Sequence, residues 1–245
     1  MSKYAVIVVA AGKSERFGGA EKKTFAKLDG RPLFLRSVEA FINREDVCQT
    51  ILVIAPEDEE QLKDKFGANL AFMGAQLVIG GAERHDSVAN GLAAVSEEAE
   101  YVAIHDAARP CVSQQMIDNV FAEAVKSGAA ILAAPLRGTI KRVSQAGVID
   151  ETVSREGLWE AQTPQVFKKS IIVDASARRG DFSQEITDDA QLVEAAGQAV
   201  SVVESDQTNL KVTAKPDIAL ANAILKNRSS AQPKQRLGIF DEAQW

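Results

Sequence analysis

Runs of apolar residues alternate with amphipathic segments along most of the chain, and this alternation predicts a β-α-β fold. Residues 4–9 (YAVIVV) form the first run, which is rich in β-branched side chains, as expected for a strand buried on both faces. Similar runs predict strands at 50–55, 76–80, 101–106, 129–135 and 199–205. Segments with helical character predict helices near 33–43, 56–66, 83–95, 113–126, 168–179, 186–197 and 215–226. We therefore expect an α/β fold with a mostly parallel sheet and helices on both faces.

Residues 136–155 interrupt this alternation. Two strand-like segments, TIKRV (139–143) and VIDETV (148–153), flank the turn sequence SQAG and predict an antiparallel β-hairpin. The hairpin is too short for a domain and too polar for a core. It is therefore either an arm, at about 136–156, that pairs with a second subunit, or a plain surface hairpin.

The C-terminal end of the chain differs in character from the rest. Residues 228–245 are polar, contain a proline and show no period, so we expect a tail there. The preceding residues, 1–227, are predicted to form a single domain, which suits a chain of 245 residues.

The loop after the first strand has the composition of a phosphate-binding loop. Residues 10–12 carry almost no side chain, and cations follow them, among them Arg16 and Lys23. Small residues let backbone N–H groups approach an anion, and fixed cations neutralise it. The loop matches neither the P-loop nor the dinucleotide fingerprint, because positions that those motifs need as glycine are occupied by other residues. A surface turn with solvated charges is the alternative.

A second special loop follows the strand at 76–80. Gly80 and Gly81 would let a base or a ribose approach the backbone closely, or they simply form a tight turn. Arg84 and Ser87 lie in the helix that follows. In parallel sheets the carboxyl ends of the strands meet at one edge, where ligands bind. We therefore expect the loops after the strands to share one rim.

The remaining candidate residues are charged or polar. Asp106 ends a buried strand and offers the carboxylate that Mg²⁺ prefers, or it pairs with Arg109 and only holds the turn. Thr139 and Arg155 stand at opposite ends of the hairpin, and Lys211 lies in a predicted short extended segment. Strand-end glycines, fixed cations and one carboxylate indicate a phosphoryl or nucleotidyl transfer site, which needs alignment and charge neutralisation more than acid–base groups.

The composition of the chain argues against some binding partners and indicates a cellular compartment. A net charge of −6 argues against general binding to nucleic acid or to anionic membranes. No apolar run approaches the ~20 residues of a membrane span, and the N-terminus lacks a signal-peptide layout. Cys48 and Cys111 form no metal-type pair, and we expect free thiols in a reducing cytoplasm.

Seven short segments of the chain occur in a characteristic order. They are AAGKSERFG, GGAERHDSV, HDAARP, GTIKR, TVSREGLWEAQTPQVF, ITDDA and NLKVT. Through them the chain resembles the 2-C-methyl-D-erythritol 4-phosphate cytidylyltransferases from about residue 3 to 227. The resemblance implies a Rossmann-like nucleotidyltransferase domain that transfers CMP from CTP to 2-C-methyl-D-erythritol 4-phosphate. The products would be 4-diphosphocytidyl-2-C-methyl-D-erythritol and pyrophosphate, in the non-mevalonate route to isoprenoids.

The resemblance also implies roles for individual residues, a divalent cation, normally Mg²⁺, and a homodimer. Arg16 and Lys23 match the cations that stabilise the transition state, whereas Arg155 and Lys211 match those that position the methylerythritol phosphate. Asp106 matches the metal-binding carboxylate. Matches to substrate contacts are Asp106, Arg109, Thr139, Arg155, Thr163 and Lys211. Matches at the nucleotide site are Ala10, Ala11, Gly12, Gly80, Gly81, Arg84 and Ser87. In the family the hairpin arm carries the residues matching Thr139 and Arg155 into the partner's site.

Two departures from the family pattern and two alternative functions stay open. Lys22, Lys23 and Thr24 stand where the family often has Pro-Lys-Gln. Thr208 stands where an acidic residue is common, which leaves Asp206 as a weak substitute for a second metal carboxylate. The alternatives are a pentitol-phosphate (ribitol 5-phosphate) cytidylyltransferase and a non-catalytic CTP-binding module. HDAARP and GLWEAQTPQ argue against the former, and the transition-state cations argue against the latter.

Overall fold

Strands and helices alternate along the computed structural model, which describes residues 2–12, 17, 22–183 and 186–231. The strands are β1 Tyr4–Val9, β2 Lys27–Leu28, β3 Arg31–Pro32, β4 Val47–Ile54, β5 Ala75–Ile79, β6 Tyr101–Asp106, β7 Ala129–Pro135, β8 Ile140–Val143, β9 Ile149–Val153, β10 Trp159–Lys168 and β11 Ser201–Glu204. The helices are α1 Leu33–Ile42, α2 Glu59–Phe72, α3 Arg84–Ala93, α4 Gln114–Ser127, α5 Lys169–Ala177, α6 Asp189–Ala195 and α7 Pro216–Ala231. Short 3₁₀ turns cover Lys23–Phe25, Pro56–Asp58 and Arg179–Asp181.

Seven strands form the central sheet in the order β11-β7-β10-β6-β1-β4-β5. β1 is parallel to β4 and β6, β4 is parallel to β5, and β11 is parallel to β7. The predicted mostly parallel sheet is thus confirmed. The exception is β10, which runs antiparallel between β6 and β7 and was not predicted. Its polar residues and Pro164 argue against a central strand, and the pairing with β7 breaks at this place, between Ala161 and Gln165.

Side chains of the central strands alternate between two hydrophobic cores, one on each face of the sheet. In β1, Val6 and Val8 pack with α1, α2 and α4, whereas Ala5 and Ile7 pack with α3, α5 and α6. All four side chains are fully buried. The helices therefore cover both faces, as predicted, and this explains why β1 and β7 are apolar throughout.

Helix α7 packs beside the sheet rather than on its main cores. Ala221 on this helix shares a third apolar cluster with Leu28, Leu33 and Val212. The predicted end of the helix near 226 was too early, since the first four residues of the predicted tail are helical. The later part of the predicted tail, 232–245, lies outside the described residues, and the division into one domain and a tail stays a prediction.

The segment 209–213, predicted to be short and extended, forms no strand. One backbone hydrogen bond joins it to the turn after β6, from the Val212 N–H to the Ala108 carbonyl, at 2.7 Å. The buried Val212 side chain fixes the segment further. These two contacts hold the neighbouring Lys211 in place without a β-ladder.

The hairpin predicted after β7 is confirmed as a separate two-stranded sheet of β8 and β9. Most of its residues are exposed, including the apolar side chains of Val143, Val148 and Ile149. Its pairing with a second subunit stays a prediction. Among the described helices, none has the length and apolar character needed to cross a lipid bilayer.

Candidate active site

A cleft of about 440 Å³ opens at the carboxyl ends of β1 and β6. Its wall is formed by the backbone after β1, the turn after β6, the start of α3, the 3₁₀ turn at Lys23 and the segment at Lys211. The lining residues for which the sequence predicts a role are Ala10, Ala11, Gly12, Lys23, Arg84, Ser87, Asp106 and Lys211. The structure thus brings these residues together at one rim of the sheet.

Other predicted site residues lie outside this lining. Those that contact lining residues directly are Gly80, Gly81, Arg109 and Thr163. Thr139 and Arg155 are exposed on the arm, and the Arg155 guanidinium donates a hydrogen bond to the Arg137 carbonyl. Arg16 lies outside the described residues. The roles that the family resemblance implies for all these residues stay predictions.

The Asp106 carboxylate is the electrostatic centre of the cleft. Its Oδ2 lies 2.6 Å from the Lys211 ammonium, and its Oδ1 lies 3.4 Å from Nη2 of Arg84. Burial alone would raise the pKa of Asp106, but Arg84 and Lys211 outweigh burial and hold this pKa well below its usual range. Asp106 is therefore an ionised carboxylate held between two cations.

The Arg109 guanidinium forms hydrogen bonds to backbone carbonyls rather than an ion pair with Asp106. It donates to the carbonyls of Asn209 and Ala161, at 2.8 and 3.3 Å. The side chain is buried, and burial lowers its pKa. Arg109 thus joins the turn after β6 to the segment that carries Lys211.

A chain of buried hydrogen bonds fixes the turn that carries Asp106. The Thr163 hydroxyl accepts from the Asp106 N–H at 3.0 Å and lies 3.1 Å from Nδ1 of His105. Nε2 of His105 lies 3.1 Å from the Arg109 carbonyl, which can only accept, so the proton is assigned to Nε2. Burial lowers the pKa of His105 to about 4, and the ring is neutral at pH 7. Nδ1 is then the acceptor of the Thr163 hydroxyl proton.

The two glycines after β5 pack against atoms of the chain itself. A Cβ on Gly80 would lie 2.6 Å from the Ser87 hydroxyl and 2.7 Å from the Ala11 Cβ, and a Cβ on Gly81 would lie 2.3 Å from the Cβ of Asp86. The Ser87 hydroxyl accepts from the Gly81 N–H at 3.1 Å and is itself buried. These glycines therefore let the start of α3 approach the loop after β1. Close approach of a base or a ribose stays a prediction.

A buried acid that sequence reasoning missed completes the charges around the cleft. Asp189, at the start of α6, lies 2.7 Å from Nη2 of Arg84. Burial would lower the pKa of Arg84, but Asp189 and Asp106 together raise it above its usual value. The segment ITDDA, which contains Asp189, was part of the family resemblance but carried no assigned role. Lining residues without a sequence prediction of their own are Val9, Phe17, Thr24, Leu33, Ala82, Glu83, Ala107, Ala108 and Thr213.

The cleft offers the buried carboxylate of Asp106 to a divalent cation. No group of three His, Cys, Asp or Glu side chains forms a ready metal site within the described ranges. Asp206 is exposed, its Oδ1 accepts from the Thr208 N–H at 2.7 Å, and it does not line the cleft. Mg²⁺ commonly binds through one or two carboxylates together with phosphate oxygens and water, which a single carboxylate at Asp106 fits; its role as the metal ligand stays a prediction.

Comparison with known proteins decides the family. The model of the 2-C-methyl-D-erythritol 4-phosphate cytidylyltransferase family matches residues 4–227. The chain belongs to this family. A cytidylyltransferase of this name from Rhodopirellula baltica is 43% identical over 232 residues, which cover 90% of this chain and 94% of the relative. Another, from Alkaliphilus metalliredigens, is 39% identical over 235 residues, which cover 94% and 96% of the two chains.

Solved structures of cytidylyltransferases share the same fold. The Thermus thermophilus 2-C-methyl-D-erythritol 4-phosphate cytidylyltransferase superposes with a TM-score of 0.75 at 31% identity, covering 92% of this chain and 100% of that one. The 4-diphosphocytidyl-2C-methyl-D-erythritol synthase from Anaerococcus prevotii superposes with a TM-score of 0.77 at 28% identity, covering 92% and 99%. The predicted family, fold class and nucleotidyltransferase class are therefore confirmed, and the two alternative functions are not favoured.

Proposed function

We propose that this member of the cytidylyltransferase family transfers CMP from CTP to 2-C-methyl-D-erythritol 4-phosphate in the cleft at the carboxyl ends of β1 and β6. The observation that carries the proposal is a single cleft in which Arg84 and Lys211 contact the buried carboxylate of Asp106 and which Lys23 also lines. Such an arrangement suits a triphosphate, because fixed cations neutralise its charge while one acid can hold a divalent cation.

The chemical step needs no general base from the protein. A phosphate monoester has a second pKa of about 6, so the substrate phosphate is mostly dianionic near neutrality. One of its oxygens attacks the α-phosphorus of CTP in line; a new P–O bond forms as the bond to pyrophosphate breaks. Lys23, together with Arg16, stabilises the charge that builds up at this phosphorus. The main contribution of the protein is alignment of the two phosphates.

Lys211 and Asp106 exchange partners when substrates bind. The Lys211 side chain is 40% exposed, so its ammonium can turn from Asp106 to the phosphate of the sugar substrate. Asp106 would then hold a divalent cation, normally Mg²⁺, which supplies charge neutralisation for the triphosphate when bound. The backbone at Ala10, Ala11 and Gly12 forms the wall on which the nucleotide rests.

The proposed assembly is a homodimer in which the arm of one protomer completes the cleft of the other. Two observations support it: Thr139 and Arg155 are exposed outside the cleft of their own chain, and three apolar arm side chains are uncovered. Val143, Val148 and Ile149 are 52%, 62% and 57% exposed. Neighbouring apolar side chains on a polar hairpin are typical of an interaction surface.

The proposed location is the cytoplasm. Cys48 and Cys111 are both free thiols, and Cys111 is buried. Unpaired cysteines are the usual state in a reducing compartment.

The decisive experiment measures pyrophosphate release by the purified chain with CTP and Mg²⁺. 2-C-methyl-D-erythritol 4-phosphate should support turnover, ribitol 5-phosphate should support it poorly, and a chelator should abolish it. Faster turnover of ribitol 5-phosphate would assign the chain to the pentitol-phosphate enzymes instead. Binding of CTP without release of pyrophosphate from either sugar phosphate would identify a non-catalytic module.

A further inference from the structure

Asp189 is a buried carboxylate that the proposed mechanism does not use. Its residue is 3% exposed, and its Oδ2 lies 2.7 Å from Nη2 of Arg84. The same nitrogen lies 3.4 Å from Oδ1 of Asp106. One guanidinium nitrogen is therefore placed between two carboxylates, and it lies closer to the acid that is not part of the cleft lining.

The backbone around Asp189 is anchored by β10, independently of Arg84. The Gln165 side chain accepts from the Ala190 N–H at 2.9 Å and donates to Oδ2 of Asp188 at 2.8 Å. The other oxygen of Asp188 accepts from the Gln191 N–H at 2.9 Å and caps α6. Asp189 thus stands between two fixed neighbours, so its carboxylate is a fixed point to which the longer Arg84 side chain is held.

Asp189 changes how the two cations Arg84 and Lys211 share the Asp106 carboxylate. Arg84 and Lys211 both contact Asp106, which has two oxygens for the two cations and for any further ligand. The Arg84 side chain is 31% exposed, and the part of a guanidinium that folding removes from water requires an opposite charge to compensate for its desolvation. If Asp106 were its only partner, Arg84 would bind that carboxylate fully. With Asp189 present, Arg84 keeps a partner when Asp106 turns to another ligand.

We propose that Asp189 is a positioning residue that holds Arg84 back from Asp106 and so keeps the Asp106 carboxylate available to the cation and triphosphate of the bound nucleotide. The inference rests on the proposed function, because it takes Asp106 as the acid that binds the cation and Arg84 as a nucleotide contact. It assigns to Asp189 no contact with substrate.

The test replaces Asp189 by a neutral side chain of the same size. In Asp189→Asn, Arg84 should pair with Asp106, and the Mg²⁺ concentration for half-maximal activity should rise roughly 3- to 100-fold, the range for residues of one ion-pair network. The KM for CTP should rise with it, whereas the KM for the sugar phosphate should change less. Asp189→Glu, which restores the charge, should recover part of the loss.

Two further readouts do not depend on activity. Calorimetric titration of the protein with CTP in the presence of Mg²⁺ should show weaker CTP binding by Asp189→Asn than by the unaltered chain. A crystal structure of the variant should show Arg84 closer to Asp106. Asp46→Asn is the matched control, because it breaks an Asp–Arg44 pair of 2.8 Å before β4, away from the cleft. This control should leave the dependence on Mg²⁺ and CTP unchanged.

A double variant tests whether Asp189 acts through Arg84. In an Arg84→Gln chain, the added change Asp189→Asn should have no further effect on Mg²⁺ dependence; an additive loss would overturn the proposal. This pair of variants also serves if Asp189→Asn alone does not fold, since neither chain combines Asp189→Asn with an intact Arg84. An active Asp189→Asn chain with unchanged Mg²⁺ dependence removes the inference and leaves the proposed function standing, whereas an inactive parent chain removes both.

Discussion

The predicted functional residues of the cleft and those of the hairpin arm differ in how the fold holds their side chains. In the cleft, Asp106 contacts Lys211 at 2.6 Å and Arg84 at 3.4 Å, and Arg84 also contacts Asp189, which does not line the cleft, at 2.7 Å. On the arm, by contrast, Arg155 is exposed and its guanidinium contacts a backbone carbonyl of the arm itself. Folding thus positions the charges of the cleft through ion pairs between distant segments, whereas the positioning of Arg155 by a second protomer stays a proposal.

The contrast between the cleft and the arm predicts the largest loss of turnover for the cleft cation Lys23. Lys23→Ala should reduce kcat by a factor on the order of 10²–10³, the usual cost of removing one preorganised charge-stabilising group. CTP affinity should change less, because the charge that Lys23 stabilises is greatest in the transition state. Steady-state pyrophosphate release and CTP titration measure the two quantities.

The neighbouring lysine provides the control for this change. Lys22 does not line the cleft, and its ammonium lies 2.9 Å from Glu57 and 2.7 Å from Asp58. Lys22→Ala should therefore leave kcat within a few-fold. Equal loss of CTP binding and turnover in Lys23→Ala would contradict a transition-state role.

On the arm, the expected loss is in substrate binding. Arg155→Ala should raise the KM for 2-C-methyl-D-erythritol 4-phosphate roughly 10- to 100-fold, the range for a hydrogen bond to a charged group. The KM for CTP should stay close to its original value. Arg142→Ala is the matched control, because Arg142 is an exposed arm residue paired with Glu151 at 2.6 Å, and exposed pairs contribute little. A similar effect of both variants would show that the arm acts only as a whole.

Mixing Lys23→Ala and Arg155→Ala chains tests whether the cleft of one protomer works with the arm of the other. A heterodimer of Lys23→Ala and Arg155→Ala chains has one site with both residues intact if the arm crosses between protomers. With random exchange, half of the dimers are mixed, so about one quarter of the sites should recover. Activity of the mixture should be measured after subunit exchange is verified by mass. No recovery after verified exchange would place both residues in the same protomer's site.

The smallest expected effect is on stability. Thr163→Val removes the hydroxyl below Asp106 and leaves the Asp106 N–H and His105 Nδ1 without their partner, which should cost about 1–3 kcal/mol of unfolding free energy. Thr152→Val makes the same change on the arm, where the hydroxyl accepts from Lys141, and should cost less than about 0.5 kcal/mol. Chemical denaturation measures both; equal values would refute the difference between the two regions.

The sequence predicted the parts of the fold that depend on continuous burial. The strands β1, β6 and β7 begin and end at the predicted residues, because both faces of each are covered and every position except His105 and Asp106 is apolar or small. β10 was missed for the opposite reason: its middle is polar, and Gln162, Thr163 and Gln165 are buried only because they hydrogen-bond to neighbouring segments. Such partners are distant in sequence and leave no local pattern.

The candidate site shows the same limit. Asp106 and Lys211 could be found from their positions after a strand and in a family segment, yet their 2.6 Å contact joins residues far apart in the chain. Asp189 was missed because an acid in the first turn of a helix has an ordinary local explanation, the stabilisation of the helix N-terminus. Gly80 and Gly81 were assigned either to ligand approach or to a tight turn, and the sequence did not indicate that Ala11, Ser87 and Asp86 lie close to them.

The junction between the arm and the sheet defines a portable module. The Leu136 N–H donates to the Leu158 carbonyl at 3.1 Å, and just beyond it Pro135 of β7 lies opposite Trp159 of β10. These two pairs join the two strands at the base of the hairpin. Residues 137–157 therefore form a unit that can be exchanged for that of a relative, and such a chimera would combine the arm of one parent with the cleft of the other.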